Sequence, residues 1–232
     1  VQNGLPVCII EGNWVTGLRT AASTTITAKR LARRNSEVIT IIGAGLQGSM
    51  HMGAMAEGFD LRKANIIDIS PEAASHLAAR FEAKLGFPIR PMSIEQREDA
   101  VRESDIIITV TTGNQALIEN AWLKPGVFIA KLGSYREIAS DIILEADKVI
   151  VDDWRYVSPR IPELKELIQS GSFNVENIHA EWREVVSGQK TGRETDSEII
   201  VFIALGIWGE YAAILPEVYR QAKKLGLGRT IK

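Results

Sequence analysis

The sequence predicts an α/β fold, a doubly wound parallel sheet accompanied by part of a second domain. Three observations predict it. Short β-branched runs alternate along the chain with helix-prone segments, the pattern of strand–helix–strand units. One such run, 38–42, ends in Gly43-Ala44-Gly45-Leu46-Gln47-Gly48, a G-x-G-x-x-G turn that leads straight into a helix-prone segment. Another, 105–111, reads as a continuous buried strand, as parallel strands covered on both faces do.

The elements follow in order. Residues 5–10 read as a strand, 13–16 offer caps, and 16–34 read as a helix rich in Ala and Thr. Strand, glycine turn and helix occupy 38–57. A second strand spans 66–69, and a helix spans 71–85 with Pro71 in its first turn. A short strand at 89–92 and a weaker helix at 94–103 precede the strand at 105–111. Further strands are expected at 127–132 and 149–151, with helices at 162–170 and 198–224. The last helix is apolar on much of its surface and is expected to pack on the N-terminal elements or on a partner subunit. Residues 35–195 form the nucleotide unit in this reading, and 1–34 with 196–232 form the remainder.

The glycine turn has a specific chemistry. Gly43 allows the tight turn, Gly45 lets the backbone approach a pyrophosphate, and Gly48 lets helix pack on strand. The helix that follows would point its first amides and its positive dipole end at the phosphates, with Ala44, Leu46 and Gln47 completing the cradle. Asp68 stands twenty positions after Gly48, at the end of the second strand. A carboxylate there accepts hydrogen bonds from a ribose and repels a 2′-phosphate, and Ile69 and Ser70 supply no arginine to bind one. The fold is therefore read as Rossmann-type, with NAD favoured over NADP. In such sheets the ligand lies off the carboxyl ends of the strands, so Thr111 and Thr112 in one loop and Gly133, Ser134 and Tyr135 in another are expected to line the nicotinamide side.

The bulk properties narrow the classes. The 232 residues are 45% hydrophobic and 24% charged, the balance of an ordinary globular protein. A net charge of −2 gives no sign of a nucleic-acid partner, and the apolar runs are too short for a membrane partner. Cys8 is the only cysteine. It reads as a small core residue, and the lack of any possible internal disulfide fits a cytoplasmic setting. His51, His76 and His179 have no metal-ligand spacing, so no metal is expected.

Two charges stand out. Arg19 falls in the first turn of the helix as read, where the dipole opposes a cation. Its neighbours Gly17, Thr20, Ala21 and Ala22 are small. An anion between Arg19 and the helix amides would turn this conflict into a carboxylate site; a solvated arginine is the alternative. Lys131 interrupts an apolar strand near its carboxyl end. It either snorkels to an edge or reaches the substrate cavity.

Four motifs taken together resemble the ornithine cyclodeaminase/μ-crystallin family. Thr16-Gly17-Leu18-Arg19-Thr20-Ala21-Ala22 is similar to its T-x-L-R-T-A-A block. Lys124-Pro125-Gly126 and Leu132-Gly133-Ser134 resemble its K-P-G…x-G-S pattern. Ala146-Asp147 with the strand that follows resembles A-D-x-V-x-V-D, and Gly192-Arg193 with 199–206 resembles the late G-R…I-x-x-F…G block. The resemblance implies a nucleotide domain plus a substrate-binding and dimerising domain, and hydride transfer between a nicotinamide and the α-carbon of a small amino acid or its imine. It implies that Arg19 holds the substrate carboxylate. Thr20 is assigned to the cofactor side, and Ser134 and Lys131 are placed near the reacting nitrogen. The chain begins at Val1 and is expected to lack the N-terminal part of family members, including a lysine of the substrate site. Ser134 stands where cyclodeaminases carry an Asp. Serine is a poor base without an activating neighbour, so a dehydrogenase or imine reductase is expected rather than a cyclodeaminase; a non-catalytic dinucleotide- and small-ligand-binding protein of μ-crystallin type is the other alternative.

Overall fold

Isoleucine and valine runs, stiff at χ1 and suited to a pleated surface, form the centre of the fold. The computed structural model describes residues 5–229. In chain order the elements are α1 (Gly12–Leu31), β1 (Val38–Ile42), α2 (Leu46–Gly58), β2 (Lys63–Ile67), α3 (Pro71–Leu85), β3 (Ile89–Met92), α4 (Arg97–Glu103), β4 (Ile106–Thr109), β5 (Phe128–Lys131), α5 (Ser140–Glu145), β6 (Lys148–Val151), α6 (Trp154–Val157), α7 (Pro162–Gln169), β7 (Ala180–Glu181), α8 (Trp182–Val186), β8 (Ile200–Ile203) and α9 (Trp208–Lys224).

The strands form one parallel sheet in the order β3-β2-β1-β4-β5-β8-β6-β7. The order reverses between β1 and β4, the switch point at which sheets of this kind place their ligands. Alternate residues feed two cores. Ile39, Ile41, Ile106, Ile108, Phe128 and Phe202 face one side with Met52 and Met55 of α2. Ile42, Ile107, Ile129, Val201 and Ile203 face the other with Ile142 of α5 and Leu164 of α7. Asp105 fixes the entry to the sheet: its carboxylate accepts from the amides of Glu37 and Val38 at 2.8 and 3.0 Å and pairs with Arg33 and Lys124.

Four expectations need correction. The segment 198–224 is not one helix, because Ile200–Ile203 is a fully buried strand between β5 and β6. A short apolar run has no periodicity that separates a doubly buried strand from a buried helix. The sheet's last strand thus comes from residues assigned above to the other unit. Residues 5–10 form no strand; Leu5, Val7 and Ile9 are 67%, 81% and 88% exposed, with no neighbouring strand among the described residues. Cys8 is exposed, not a core residue. Finally, α1 starts at Gly12, because the Glu11 carboxylate caps it by accepting from the amides of Asn13 and Trp14. Arg19 therefore sits two turns inside the helix, beyond the reach of the terminal dipole that made it conspicuous. Among the described residues no helix is long and apolar enough to cross a membrane.

Candidate active site

The glycine turn is built from three backbone approaches. Gly43 has φ +113°, and a Cβ on it would meet the Val110 carbonyl oxygen at 2.6 Å. A Cβ on Gly48 would lie 1.9 Å from the Gly43 carbonyl oxygen, so strand and helix touch through bare main chain. A Cβ on Gly45 would meet nothing within 4 Å. Gly45 is also the N-cap of α2 and supplies no side-chain cap, so the first amides of a 13-residue helix face open space. The Asp68 carboxylate leans over this turn, accepting from the Ala44 amide at 2.7 Å and the Ser70 amide at 2.9 Å. Leu46 is exposed, and the Gln47 side-chain oxygen is buried with no hydrogen-bond partner.

These residues fit a dinucleotide. The space over Gly45 is open, the first amides of α2 are the donors a helix start offers an anion, and the Asp68 carboxylate stands beside the turn. Thr20 is buried on α1 and donates its hydroxyl to the Thr16 carbonyl at 2.7 Å.

The loops after β4 and β5 are tied together by a carboxylate that sequence reading missed. Glu137, fully buried, accepts from the Thr111 amide at 2.6 Å, the Thr111 hydroxyl at 2.9 Å, the Thr109 hydroxyl at 2.9 Å and the Gly133 amide at 2.8 Å. Thr111 is thus turned inward, while Thr112 and Ser134 are exposed on the same loops. Glu163 in turn accepts from the amides of Glu137 and Ile138 at 2.9 and 3.3 Å.

Lys131 is corrected by the same network. It is fully buried, donates to the Gly133 carbonyl at 2.6 Å and lies 3.7 Å from Glu163. It does not snorkel to an edge. Burial lowers its pKa, and Glu163 and Glu137 counter that. Two buried carboxylates need a cation near them, and Lys131 is that cation.

Arg19 is neither solvated nor poised against helix amides. It is 7% exposed, and its Nη1 donates to Glu210 of α9 at 2.9 Å. The guanidinium lies over the Tyr211 ring, 5.1 Å from its centroid, and the Tyr211 hydroxyl bonds Thr16 at 2.8 Å. Burial raises the Tyr211 pKa, but Thr16 and Arg19 outweigh it and the net shift is downward. Gly206, φ +91°, forms the floor: a Cβ there would fall 1.7 Å from Nη1. The Asp152 carboxylate holds that floor, accepting from the Leu205 and Gly206 amides at 2.7 and 2.6 Å. Asp152 follows β6 and Gly206 follows β8, so Arg19 stands at the carboxyl edge of the sheet, as the glycine turn does. Gly17 connects the two, since its α1 backbone packs against Leu46 and Met50 of α2.

Two buried groups here titrate in opposite directions. His51 of α2 bonds the Gln47 carbonyl and the Thr24 hydroxyl. Burial lowers its pKa from 6.5 to about 4; Gln47 opposes this and the Arg19 charge adds to it. Its folded pKa lies below the unfolded one, so its contribution is intact above pH 6.5 and is lost as pH falls toward 4. Burial raises the Asp152 carboxyl from 3.8 to about 6 against the Leu205, Gly206 and Asp153 amides. That shift has the opposite sign, and protonating Asp152 adds stability as pH falls through 6. A His51→Gln variant should therefore lose less stability than the wild type between about pH 7 and 4.5, by on the order of 2 kcal/mol in urea melts. Equal losses would contradict the buried neutral imidazole.

The sequence profile of the ornithine cyclodeaminase/mu-crystallin family matches residues 1–225. The chain belongs to that family. Among family relatives it is 32% identical over 231 residues to the N-((2S)-2-amino-2-carboxyethyl)-L-glutamate dehydrogenase of Staphylococcus aureus, covering 99% of this chain and 68% of that one. It resembles the Thermococcus litoralis Delta(1)-pyrroline-2-carboxylate reductase, solved with NADH and L-proline, with TM-score 0.93 and 31% identity over 99% of this chain and 72% of that one. It also resembles an archaeal alanine dehydrogenase dimer with bound NAD, with TM-score 0.91 and 29% identity over 100% and 71%.

Proposed function

We propose that this member of the family is an NAD-dependent oxidoreductase acting at the C–N bond of a small L-amino acid or its imine. The observation that carries the reading is the placement of a buried, donor-rich Arg19 at the same sheet edge as the open glycine turn. The backbone of Gly43 to Gly48 holds the diphosphate, and Asp68 holds the ribose. The nicotinamide, when bound, supplies or accepts the hydride. Glu137 fixes the loops after β4 and β5 that would flank it. Arg19 takes the substrate carboxylate and so sets the α-carbon in place, and positioning of this kind lowers barriers substantially. Ser134 is a free hydroxyl on the loop after β5.

We assign α1 and α9, joined through Arg19–Glu210 and Thr16–Tyr211, to the substrate-binding and dimerisation unit, and the sheet with its remaining helices to the nucleotide unit. A homodimer is supported by the dimeric alanine dehydrogenase and by the exposed Leu5, Val7, Ile9 and Trp208. A reducing cytoplasmic setting suits the single exposed thiol.

An NADH-linked screen tests the function. The panel is Δ1-pyrroline-2-carboxylate, pyruvate with ammonia, and L-ornithine. Oxidation of NADH with an imine or with pyruvate and ammonia supports the reading. Ornithine converted to proline and ammonia with no net NADH identifies a lyase. Cofactor binding without any turnover points to a non-catalytic protein.

Cofactor choice follows from Asp68. NADPH should bind about tenfold or more weaker than NADH, because its 2′-phosphate would meet this carboxylate. Asp68→Asn should narrow the gap. Equal affinities in the wild type would contradict the assignment.

A further inference from the structure

The surroundings of the Arg19 guanidinium are lopsided. Nη1 donates to Glu210 at 2.9 Å, with both side chains 8% exposed. Nη2 has a single long contact, 3.5 Å, to the Leu205 carbonyl. Nε is buried with no hydrogen-bond partner. Buried charged donors are rarely left unpaired, so an orphaned Nε beside a weakly held Nη2 calls for an explanation. Those two nitrogens form one edge of the guanidinium fork. That edge matches a carboxylate, whose two oxygens accept from both nitrogens in parallel.

We propose that Glu210 is a positioning residue: it clamps Nη1 so that the Nε/Nη2 edge of Arg19 is presented to the substrate carboxylate. This rests on the functional reading above. Three further contacts restrict the guanidinium to that pose. The Tyr211 ring lies against it, Gly206 packs so close to it that a Cβ would not fit, and Asp152 anchors the Leu205–Gly206 turn. Glu210 itself sits at the opposite corner of the fork. The buried pair is neutral as a whole, so the charge that binds substrate is directional: a free edge with donors and no acceptor.

The opposite role predicts the opposite sign. If Glu210 instead filled the substrate's place on Arg19, removing its charge would tighten substrate binding.

The test uses the full chain with NADH. Glu210→Ala should raise KM for the imine substrate about tenfold or more, with kcat within about twofold and NADH affinity unchanged. Glu210→Gln keeps an acceptor for Nη1 and should recover much of the loss. A lower KM in Glu210→Gln, or no change in Glu210→Ala, would overturn the proposal.

A second readout does not depend on turnover. In ¹⁵N-labelled protein the Arg19 Nε–H resonance, assigned by its loss in Arg19→Lys, should exchange slowly with solvent. It should shift when L-proline is added with NADH. In Glu210→Ala it should exchange rapidly. An unchanged resonance in that variant would overturn the proposal. A wild type inert on the whole panel would sink the functional reading, while the resonance would still decide whether Glu210 orients Arg19.

Discussion

Replacing Arg19 with alanine should lower kcat/KM by about a thousandfold or more, because in the proposed reading its fork both binds the substrate carboxylate and aligns the reacting carbon. NADH affinity should stay within about threefold, since the glycine turn belongs to other elements. The variant carries a structural cost of its own. Glu210 is 8% exposed and would be left buried without its partner, which typically destabilises by about 3–5 kcal/mol. Two companions separate these effects. Arg19→Lys keeps the charge but lacks the planar fork, so it should fold well and still lose most substrate affinity. Arg19→Ala combined with Glu210→Ala removes the orphaned carboxylate and should regain stability without regaining activity. Normal turnover in Arg19→Lys would refute the anchoring role.

Gly48→Ala should be the most damaging single change to the cofactor site. Its methyl would lie 1.9 Å from the Gly43 carbonyl oxygen, a contact between two pieces of main chain with no flexible side chain to yield. The start of α2 would have to move off β1, at a cost on the order of 3 kcal/mol, and the amides aimed at the diphosphate would move with it. NADH binding and melting temperature should fall together. Gly45→Ala is the informative contrast. Gly45 has φ −76°, which alanine tolerates, and its Cβ would meet no protein atom within 4 Å. Stability should hold while NADH binding falls, because the methyl occupies the space left for the ligand.

Much of this was legible in the sequence where the signal is local. The strand–turn–helix at 38–58 needs only β-branched residues, three glycines and a following helix former. The helix α3 was marked by Pro71 in its first turn, and the structure adds Ser70 as its cap and Gly86 in the left-handed conformation at its end. Asp68 was found by its distance from the turn, and the structure adds its bond to the Ala44 amide.

What escaped is non-local. The strand β8 is defined by its neighbours β5 and β6, not by its own pattern. Glu137, Glu163, Asp152 and Glu210 look like ordinary surface acids until the sheet gathers them, and Glu210 lies 191 residues from the arginine it holds. Arg19 was singled out by a dipole conflict that the Glu11 cap removes. Its burial against Glu210 and Gly206 is what the structure shows instead. Lys131 drew attention for being charged in a strand, and its partners Glu163 and Gly133 account for its burial.

The central claim is that the empty volume over Gly45 receives a diphosphate. Calorimetric titration of NADH into the wild type and Gly45→Ala tests it most directly. Saturable binding to the wild type, weakened about tenfold or more in a variant of unchanged melting temperature, is the predicted result. A wild type that takes up no NADH, or a Gly45→Ala that binds it equally well, would contradict it.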